Sequence, residues 1–213
     1  MLLRHGRTAW NAAGRWQGHL DPELDETGVA QVRRAAALLA ALSPHAIVSS
    51  DLRRAAGTAA ALGAVTGLDV CLDPGLRETY IGSWQGLTSA EVAERWADEL
   101  AGWQGGDVQL RPGGGENRLE VADRVVAAVR LGLLGVPPGG CLVVVTHGGA
   151  ARVAVARLLG LEHGSWGALG GLSNCCWSVV AEDASREPGG EPRWHLLEHN
   201  AGTLPQPVLT EEG

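Results

Sequence analysis

The segment that most constrains the fold is an apolar run, Cys141–Thr146, which ends in His147-Gly148-Gly149. A short run of this kind, without a charge or a turn-forming residue, is typical of a strand that is buried on both faces. It leads directly into a helix-like stretch over 150–160, as in a βαβ unit. A strand buried on both faces needs helices on both sides. The run therefore predicts a mainly parallel sheet inside an α/β domain.

The same alternation of apolar strands and amphipathic helices recurs along the rest of the chain. It predicts one domain over residues 1–213, built as a three-layer α-β-α sandwich around a mainly parallel central sheet. Further strands are expected over 1–4, 46–50, 68–72, 174–181 and 193–197, and further helices over about 29–42 (after Asp25–Gly28), 51–65, 88–103 and 117–134.

Three stretches depart from this alternation. Residues 5–24 have no periodicity and are expected to form a loop. Residues 80–116 combine one helix with the Gly-rich segment 105–115 and are expected to form a helical and loop cap inserted into the domain. The tail over 199–213 contains two prolines and two consecutive glutamates, so we expect it to be mobile.

Composition excludes several classes of partner. The formal net charge is −7, and all 17 basic residues are arginines, so nonspecific binding to nucleic acid is not expected. No apolar stretch has transmembrane length, and no membrane partner is expected. The four cysteines lack metal-ligand spacing and are expected to be buried, reduced thiols of a cytoplasmic protein; they are Cys71, Cys141, Cys175 and Cys176.

Basic and acidic side chains follow several of the expected strands at the point where each strand ends. Arg4 and His5 follow the first strand, Arg54 lies just beyond the second, and Glu78 and His147 follow later strands. The carboxyl ends of parallel strands meet at one edge of a sheet, where open α/β folds place their ligand sites. Guanidinium and imidazole groups bind phosphate, and the start of the helix after His147 is expected to direct N–H groups at the same anion. The pattern predicts a phosphate site with one group able to transfer a proton.

Five blocks, in this order and over nearly the whole chain, resemble the histidine phosphatase superfamily, also called the phosphoglycerate-mutase-like family. They are Arg4-His5-Gly6-Arg7-Thr8 followed by Asn11, Ser50–Ala59, Leu76-Arg77-Glu78 with Gly82, Trp84 and Gly86, Gly114-Gly115-Glu116, and His147-Gly148-Gly149.

Further blocks are similar to the small actinobacterial members that act on glucosyl-3-phosphoglycerate. This similarity implies a phosphoric monoester hydrolase that forms glucosylglycerate and phosphate. The blocks are Ile47–Ala55, Arg77-Glu78-Thr79 with Trp84–Thr88, and Ala168–Gly171 with Asn174.

The resemblance implies a role for each residue at the expected site. His5 is the nucleophile and forms a phosphohistidine. Arg4 and Arg54 clamp the phosphoryl oxygens, and His147 donates to the phosphoryl group if it is protonated. The family pattern places the site arginine directly before an alanine, which selects Arg54 over Arg53; Arg53 is expected on a solvated helix face.

Glu78 is expected to protonate the leaving alkoxide and then to deprotonate the attacking water. Binding contacts to phosphate or substrate are expected from Asn11, Gln17, Gly18 and Gly148, although Asn11 also suits a turn. Glu116 is expected to organise the Gly-rich loop. No metal and no cofactor are expected, because arginines and imidazolium supply the positive charge. Trp10, Trp16 and Trp84 are candidates for the pocket wall.

Several alternatives stay open from the sequence. The nearest are a broad-specificity phosphatase of the same family and a phosphoglycerate mutase; the shortness of the chain and its lack of lysine favour hydrolysis. A non-catalytic phospho-ligand-binding module would lack His5 or Glu78, and both are present. A metallohydrolase would need a cluster of metal-ligating residues. A homodimer stays an open alternative, because the sequence contains no stripe of residues that demonstrates an interface between two copies.

Overall fold

A six-stranded sheet lies at the centre of the computed structural model, which describes residues 1–183 and 192–202. The strands are β1 (Leu2–Arg4), β2 (Ala46–Ser49), β3 (Val70–Leu72), β4 (Leu142–Thr146), β5 (Trp177–Glu182) and β6 (Trp194–Ala201). Their order in the sheet is β3-β2-β4-β1-β5-β6. The first four in this order pair in parallel, and β5 and β6 are antiparallel. The mainly parallel sheet is confirmed.

Helices cover both faces of the sheet. The α-helices are α1 (Ala9–Ala12), α2 (Glu26–Ala40), α3 (Arg53–Thr66), α4 (Ser89–Gln104), α5 (Arg118–Leu133) and α6 (Gly148–Leu158), of which α2, α3, α5 and α6 cover the sheet. Buried side chains of α2 and α3 pack with Ile47 and Val143 of the sheet, whereas those of α5 and α6 pack with Val48 and Val144. Successive strand residues therefore serve opposite faces. This arrangement is the three-layer α-β-α sandwich that was expected.

Local sequence fixes where several helices begin and end. The Asp25 side chain accepts a hydrogen bond from the Gly28 N–H at the start of α2, and Thr88 with Glu91 forms a capping box at the start of α4. Gly67 ends α3 with a φ of 73°, a left-handed conformation that glycine adopts readily. These bounds lie within a few residues of the expected ones.

A third apolar cluster lies apart from the two that cover the sheet. It joins Trp16 to residues of the 80–116 stretch, and its buried members are Trp16, Ile81, Trp84, Val92, Leu100 and Trp103. The segment therefore packs around tryptophans of its own. Its interpretation as a cap inserted into the domain stays a prediction.

Three expectations for local structure were wrong. The stretch 5–24 contains α1, because Thr8 and Asn11 form a capping box. The strand expected from residue 174 begins at Trp177, since Cys175 has a φ of 57° and cannot continue a strand. The mobile tail was expected to begin at residue 199, but β6 extends to Ala201. Residues 203–213 lie outside the described residues.

The cysteines differ in burial, although all four are free thiols. Cys175 and Cys176 are buried, and burial raises the pKa of the Cys175 thiol to about 12. Cys71 is exposed, contrary to expectation, because β3 is the edge strand of the sheet; Cys141 is half-buried. Within residues 1–183 and 192–202, the helices are too short or too polar to cross a membrane.

Candidate active site

The two histidines that follow β1 and β4 lie side by side. The strands are parallel neighbours with Arg4 in register with Thr146, so the next residue on each strand is a histidine. The ring centroids of His5 and His147 are 5.1 Å apart, with the ring planes inclined at 60°. Both side chains are almost completely buried. The sheet register alone brings these two imidazoles together.

The tautomer of His5 follows from its hydrogen bond. Its Nδ1 lies 2.7 Å from the Gly6 carbonyl oxygen, and a carbonyl only accepts, so Nδ1 carries the proton. Burial, followed by the positive charges of Arg54 and Arg4, holds the pKa of His5 well below its usual 6.5. The ring is therefore neutral at pH 7, with the lone pair on Nε2. A neutral imidazole with a fixed tautomer is suited to nucleophilic attack.

His147 has the opposite tautomer. Arg54 Nε donates to His147 Nδ1 at 3.2 Å, and His147 Nε2 lies 2.9 Å from Ser50 Oγ. Since a guanidinium only donates, the proton of the neutral ring is on Nε2. Burial and then the charge of Arg54 hold the pKa of His147 well below its usual value. Sequence reasoning missed Ser50 as a partner of this ring, although its place at the end of β2, next to β4, was visible.

The two site arginines are both buried. Arg4 Nη1 donates to the Leu172 carbonyl at 2.6 Å, and Arg54 donates to the Gly18 and Leu20 carbonyls at 2.8 Å each. Arg54 therefore also holds the segment after α1. Its neighbour Arg53 is exposed and ion-paired with Glu23, as expected for a solvated residue.

Glu78 occupies the start of α6. Its Oε1 accepts from the N–H groups of Thr79 and Ala150 at 2.9 Å each, and its Oε2 accepts from the Gly149 N–H at 3.1 Å. The expectation that this helix start directs its N–H groups at phosphate therefore needs correction, because Glu78 takes two of them. The positive end of the helix holds the carboxylate in place.

The polar side chains of the α1 segment converge on the same place. The Oδ1 of Asn11 accepts from Thr8 N–H and from Asn174 Nδ2, while the same Asn174 Nδ2 donates to the His5 carbonyl at 3.0 Å. Within the described chain, Asn11 Nδ2 is a buried donor without a hydrogen-bond partner. Such a group needs an acceptor, and a phosphate oxygen would supply one. Gln17 is buried and bonded to Thr8 Oγ1 at 3.1 Å.

Arg124 of α5 fixes the backbone that carries Glu78. It donates to the carbonyls of Arg77 and Glu78 at 2.6 and 2.8 Å and to the Glu116 carboxylate at 2.8 Å. Burial opposes the charge on Glu116, but hydrogen bonds from Arg124 and Tyr80 N–H outweigh it and lower its pKa. Glu116 thus ties the Gly-rich loop to Arg124. Sequence reasoning missed Arg124, which resembles any other arginine of an amphipathic helix.

A cavity opens beside this group of residues. Gly18, Gly148 and the expected site residues Arg4 and Glu78 are part of its wall, whereas the completely buried His5, His147 and Arg54 are not. Arg4 and Glu78 therefore bring the charged groups of the site to the cavity wall. The remaining wall includes Trp16, Thr79, Ile81, Trp103 and Arg152.

Of the three tryptophans considered for the wall, Trp16 lines the cavity. Trp84 is fully buried and packs against Trp16, and the centroids of the two rings are 5.6 Å apart. Trp103 and Arg152 line the cavity and were not singled out from the sequence. Their spacing on α4 and α6 is that of ordinary helix residues, so no signal in the sequence marked them. Among residues 1–183 and 192–202, no cluster of three or more metal-ligating side chains occurs.

The fold and the site define a phosphate-handling enzyme built on paired histidines at the ends of parallel strands. The family model for the histidine phosphatase superfamily (branch 1) matches residues 1–188, and the chain belongs to this superfamily. The expectation of a phosphoric monoester hydrolase of this family is confirmed.

The narrower resemblance is also confirmed. The chain is 41% identical over 211 residues to the glucosyl-3-phosphoglycerate phosphatase of Mycolicibacterium vanbaalenii, covering 94% of this chain and 93% of the relative. It is 40% identical to the enzyme of that name from Mycobacterium tuberculosis, with the same coverage. A solved structure of a mycobacterial glucosyl-3-phosphoglycerate phosphatase with VO3 superimposes with a TM-score of 0.86 at 42% identity, covering 94% of this chain and 98% of that one.

Proposed function

We propose that this chain hydrolyses glucosyl-3-phosphoglycerate to glucosylglycerate and phosphate through a phosphohistidine on His5. The observation that carries the mechanism is the fixed, neutral His5 ring, whose Nδ1–H is bound to the Gly6 carbonyl. The substrate assignment is supported by the relatives of that name, which the chain matches over nearly its whole length.

In the first step, the lone pair of His5 Nε2 attacks phosphorus and the bond from phosphorus to the substrate oxygen breaks. Glu78 transfers a proton to the departing alkoxide, so that glucosylglycerate leaves as an alcohol. In the second step, Glu78 takes a proton from water. The resulting hydroxide attacks phosphorus, the P–N bond breaks, and phosphate leaves with His5 neutral again.

Charge on the phosphoryl group is balanced by protein groups in this proposal. Arg4 and Arg54 supply fixed positive charge, and Asn11 Nδ2 supplies a donor that the described chain leaves without an acceptor. Because His147 Nδ1 accepts from Arg54, the hydrogen-bond donor that this ring can offer to a phosphoryl oxygen is its Nε2–H. The relative with VO3 is consistent with such a site, because vanadate oxyanions mimic the geometry of phosphoryl transfer. The reaction as proposed needs no metal ion.

The test is phosphate release from a panel of substrates in the presence of a chelator. The panel contains glucosyl-3-phosphoglycerate, 3-phosphoglycerate, a sugar phosphate, a nucleotide and p-nitrophenyl phosphate. We expect strong preference for the first. Equal release from all would replace the proposal by a broad-specificity phosphatase, and interconversion of phosphoglycerate isomers would replace it by a mutase. Activity lost with chelator and restored by a divalent ion would contradict the metal-free mechanism.

The chemical intermediate has a separate test. Rapid quenching with labelled substrate should trap label on the protein in a form that is stable to base and labile to acid, as a phosphoramidate is. Label that survives acid treatment would contradict phosphohistidine.

Two further parts of the proposal concern the cell. We place the protein in the cytoplasm, supported by four free thiols, which are typical of reducing compartments; cell fractionation tests this placement. Association of two copies stays a proposal, and light scattering separates the 22.2 kDa chain from a species of twice that mass.

A further inference from the structure

Arg152 gives the cavity wall a second cation besides Arg4. It is half-buried on α6 and lines the same cavity as Arg4 and Glu78. In the proposed mechanism, Arg4, Arg54, Glu78 and the histidines serve the phosphoryl group, and Arg152 has no part. Phosphate chemistry therefore does not explain why a cation lies in this part of the wall.

The position of Arg152 on its helix defines where a second anionic group would lie. Gly148 borders the Arg4 guanidinium so closely that a Cβ there would be 3.4 Å from Arg4 Cζ. Arg152 lies one helical turn further on, which corresponds to a rise of about 6 Å. Helix side chains lean back toward the N-terminus, a tendency that favours a direction from Arg152 toward Gly148 and Arg4.

The proposed substrate has an anionic group at a matching distance. In a phosphoglycerate unit, four bonds join phosphorus to the carboxylate carbon, a span of about 5 Å when extended. Guanidinium groups bind carboxylates in a bidentate manner. With five N–H donors, an arginine can keep protein contacts and still receive a carboxylate. The apolar wall formed by Trp16, Ile81 and Trp103 strengthens such an ion pair by excluding water.

We infer that Arg152 binds the carboxylate of the phosphoglycerate unit and selects substrates that carry this group beside the phosphorylated carbon chain. The inference rests on the proposed function and deepens it, because it assigns a residue to the recognition of the non-phosphate half. Arg152 is a specificity residue and takes no part in the transfer of the phosphoryl group.

The test compares substrates that differ only in the carboxylate. The first pair is glucosyl-3-phosphoglycerate and its analogue with the carboxylate reduced to an alcohol; the second pair is 3-phosphoglycerate and glycerol 3-phosphate. Arg152→Gln should lower kcat/KM for the carboxylate member about 10- to 100-fold, through KM, and change that for the alcohol member less than threefold. Arg152→Lys should recover part of the loss.

Arg157→Gln is the matched control on the same helix. Arg157 is ion-paired with Asp123 at 2.8 Å and does not line the cavity, so its loss should leave both members of each pair unchanged. An equal fall for both members in Arg152→Gln would overturn the inference, as would a wild-type protein without preference for the carboxylate.

Failure of the proposed function gives a different result. If the wild-type protein prefers 3-phosphoglycerate over glycerol 3-phosphate but ignores the glucosyl group, the glucosyl assignment fails, and the effect of Arg152→Gln on this pair decides the role of Arg152. If it hydrolyses none of the four, both fail. If it hydrolyses all four at equal rates, the phosphatase stands and the role of Arg152 does not.

Discussion

The site has an inner end, which is the buried group around His5, and an outer end, which is the wall of the neighbouring cavity, and the two are built in different ways. At the inner end, His5, Arg54, Glu78 and His147 follow strands or precede helices, and backbone groups or neighbouring side chains hold each of them. At the outer end, Trp16 and Trp103 belong to a small apolar cluster that is separate from the two clusters on the sheet.

This difference indicates that the two ends have different roles, one in the chemical step and the other in substrate selection. The inner end needs fixed positions for bond making and breaking, and the ends of paired strands supply them. The outer end needs only shape and one or two polar groups to select the rest of the substrate. A change at the inner end should therefore alter the rate for every phosphate ester, whereas a change at the outer end should alter the choice among them.

The largest effect is expected from His5→Ala. Removing the nucleophile should lower kcat for all substrates by at least about 10³-fold. The fold should remain, because the variant removes a buried ring whose protonation the folded state resists. Phosphate release and thermal unfolding measure the two effects. His163→Ala is the control, since His163 is exposed and packs on Trp166. Substantial turnover by His5→Ala would remove the phosphohistidine mechanism.

Glu78→Gln should have a smaller effect that depends on the leaving group. The amide keeps one oxygen to accept from Thr79 and Ala150, but it cannot supply a proton. We expect kcat for glucosyl-3-phosphoglycerate to fall about 10²- to 10³-fold. The fall for p-nitrophenyl phosphate should be less than tenfold, because nitrophenolate leaves without protonation. Equal losses on both substrates would show that Glu78 positions groups and transfers no proton.

The two buried histidines should also make the stability of the inner end depend on pH. Their pKa values lie well below 6.5 in the folded chain, so below pH 6.5 the unfolded chain binds protons that the folded chain does not. Stability should be constant with respect to these groups above pH 6.5 and fall below it, by about 1.4 kcal/mol per pH unit for each histidine. Urea unfolding at pH 7.5, 6.5 and 5.5 measures the slope. His5→Ala should reduce the slope, because it removes one of the histidines whose pKa is lowered by folding, and an unchanged slope in that variant would contradict the pKa direction.

The smallest effect on catalysis is expected from Trp103→Leu at the outer end. The substitution removes aromatic wall from the cavity and keeps an apolar residue against Val92 and Leu100. KM for glucosyl-3-phosphoglycerate should rise about fivefold, which corresponds to about 1 kcal/mol. The kcat for p-nitrophenyl phosphate should change less than twofold. If KM for glucosyl-3-phosphoglycerate and kcat for p-nitrophenyl phosphate change by the same factor, the inner and outer ends of the site do not act separately.

The parallel sheet and the strand ends that carry the site were predictable because both are local features. An apolar run such as Leu142–Thr146 can satisfy its backbone and side chains only inside a covered sheet, and a His-Gly pair after such a run lies at the edge of that sheet. Asp25 fixes the start of α2 through a side-chain hydrogen bond, and Gly67 fixes the end of α3 through its left-handed backbone conformation. The five family blocks then supplied the expected roles of Arg4, His5, Arg54, Glu78 and His147.

What only the tertiary structure decided is how these residues are held and what surrounds them. Glu78 takes the N–H groups at the start of α6, and Arg124 holds the Glu78 carbonyl across 46 residues of sequence. Trp103 and Arg152 reach one cavity from different helices. Each of these contacts joins distant parts of the chain through side-chain packing and hydrogen bonds. A sequence period reports which face of a helix is apolar, but it does not report which distant group that face meets.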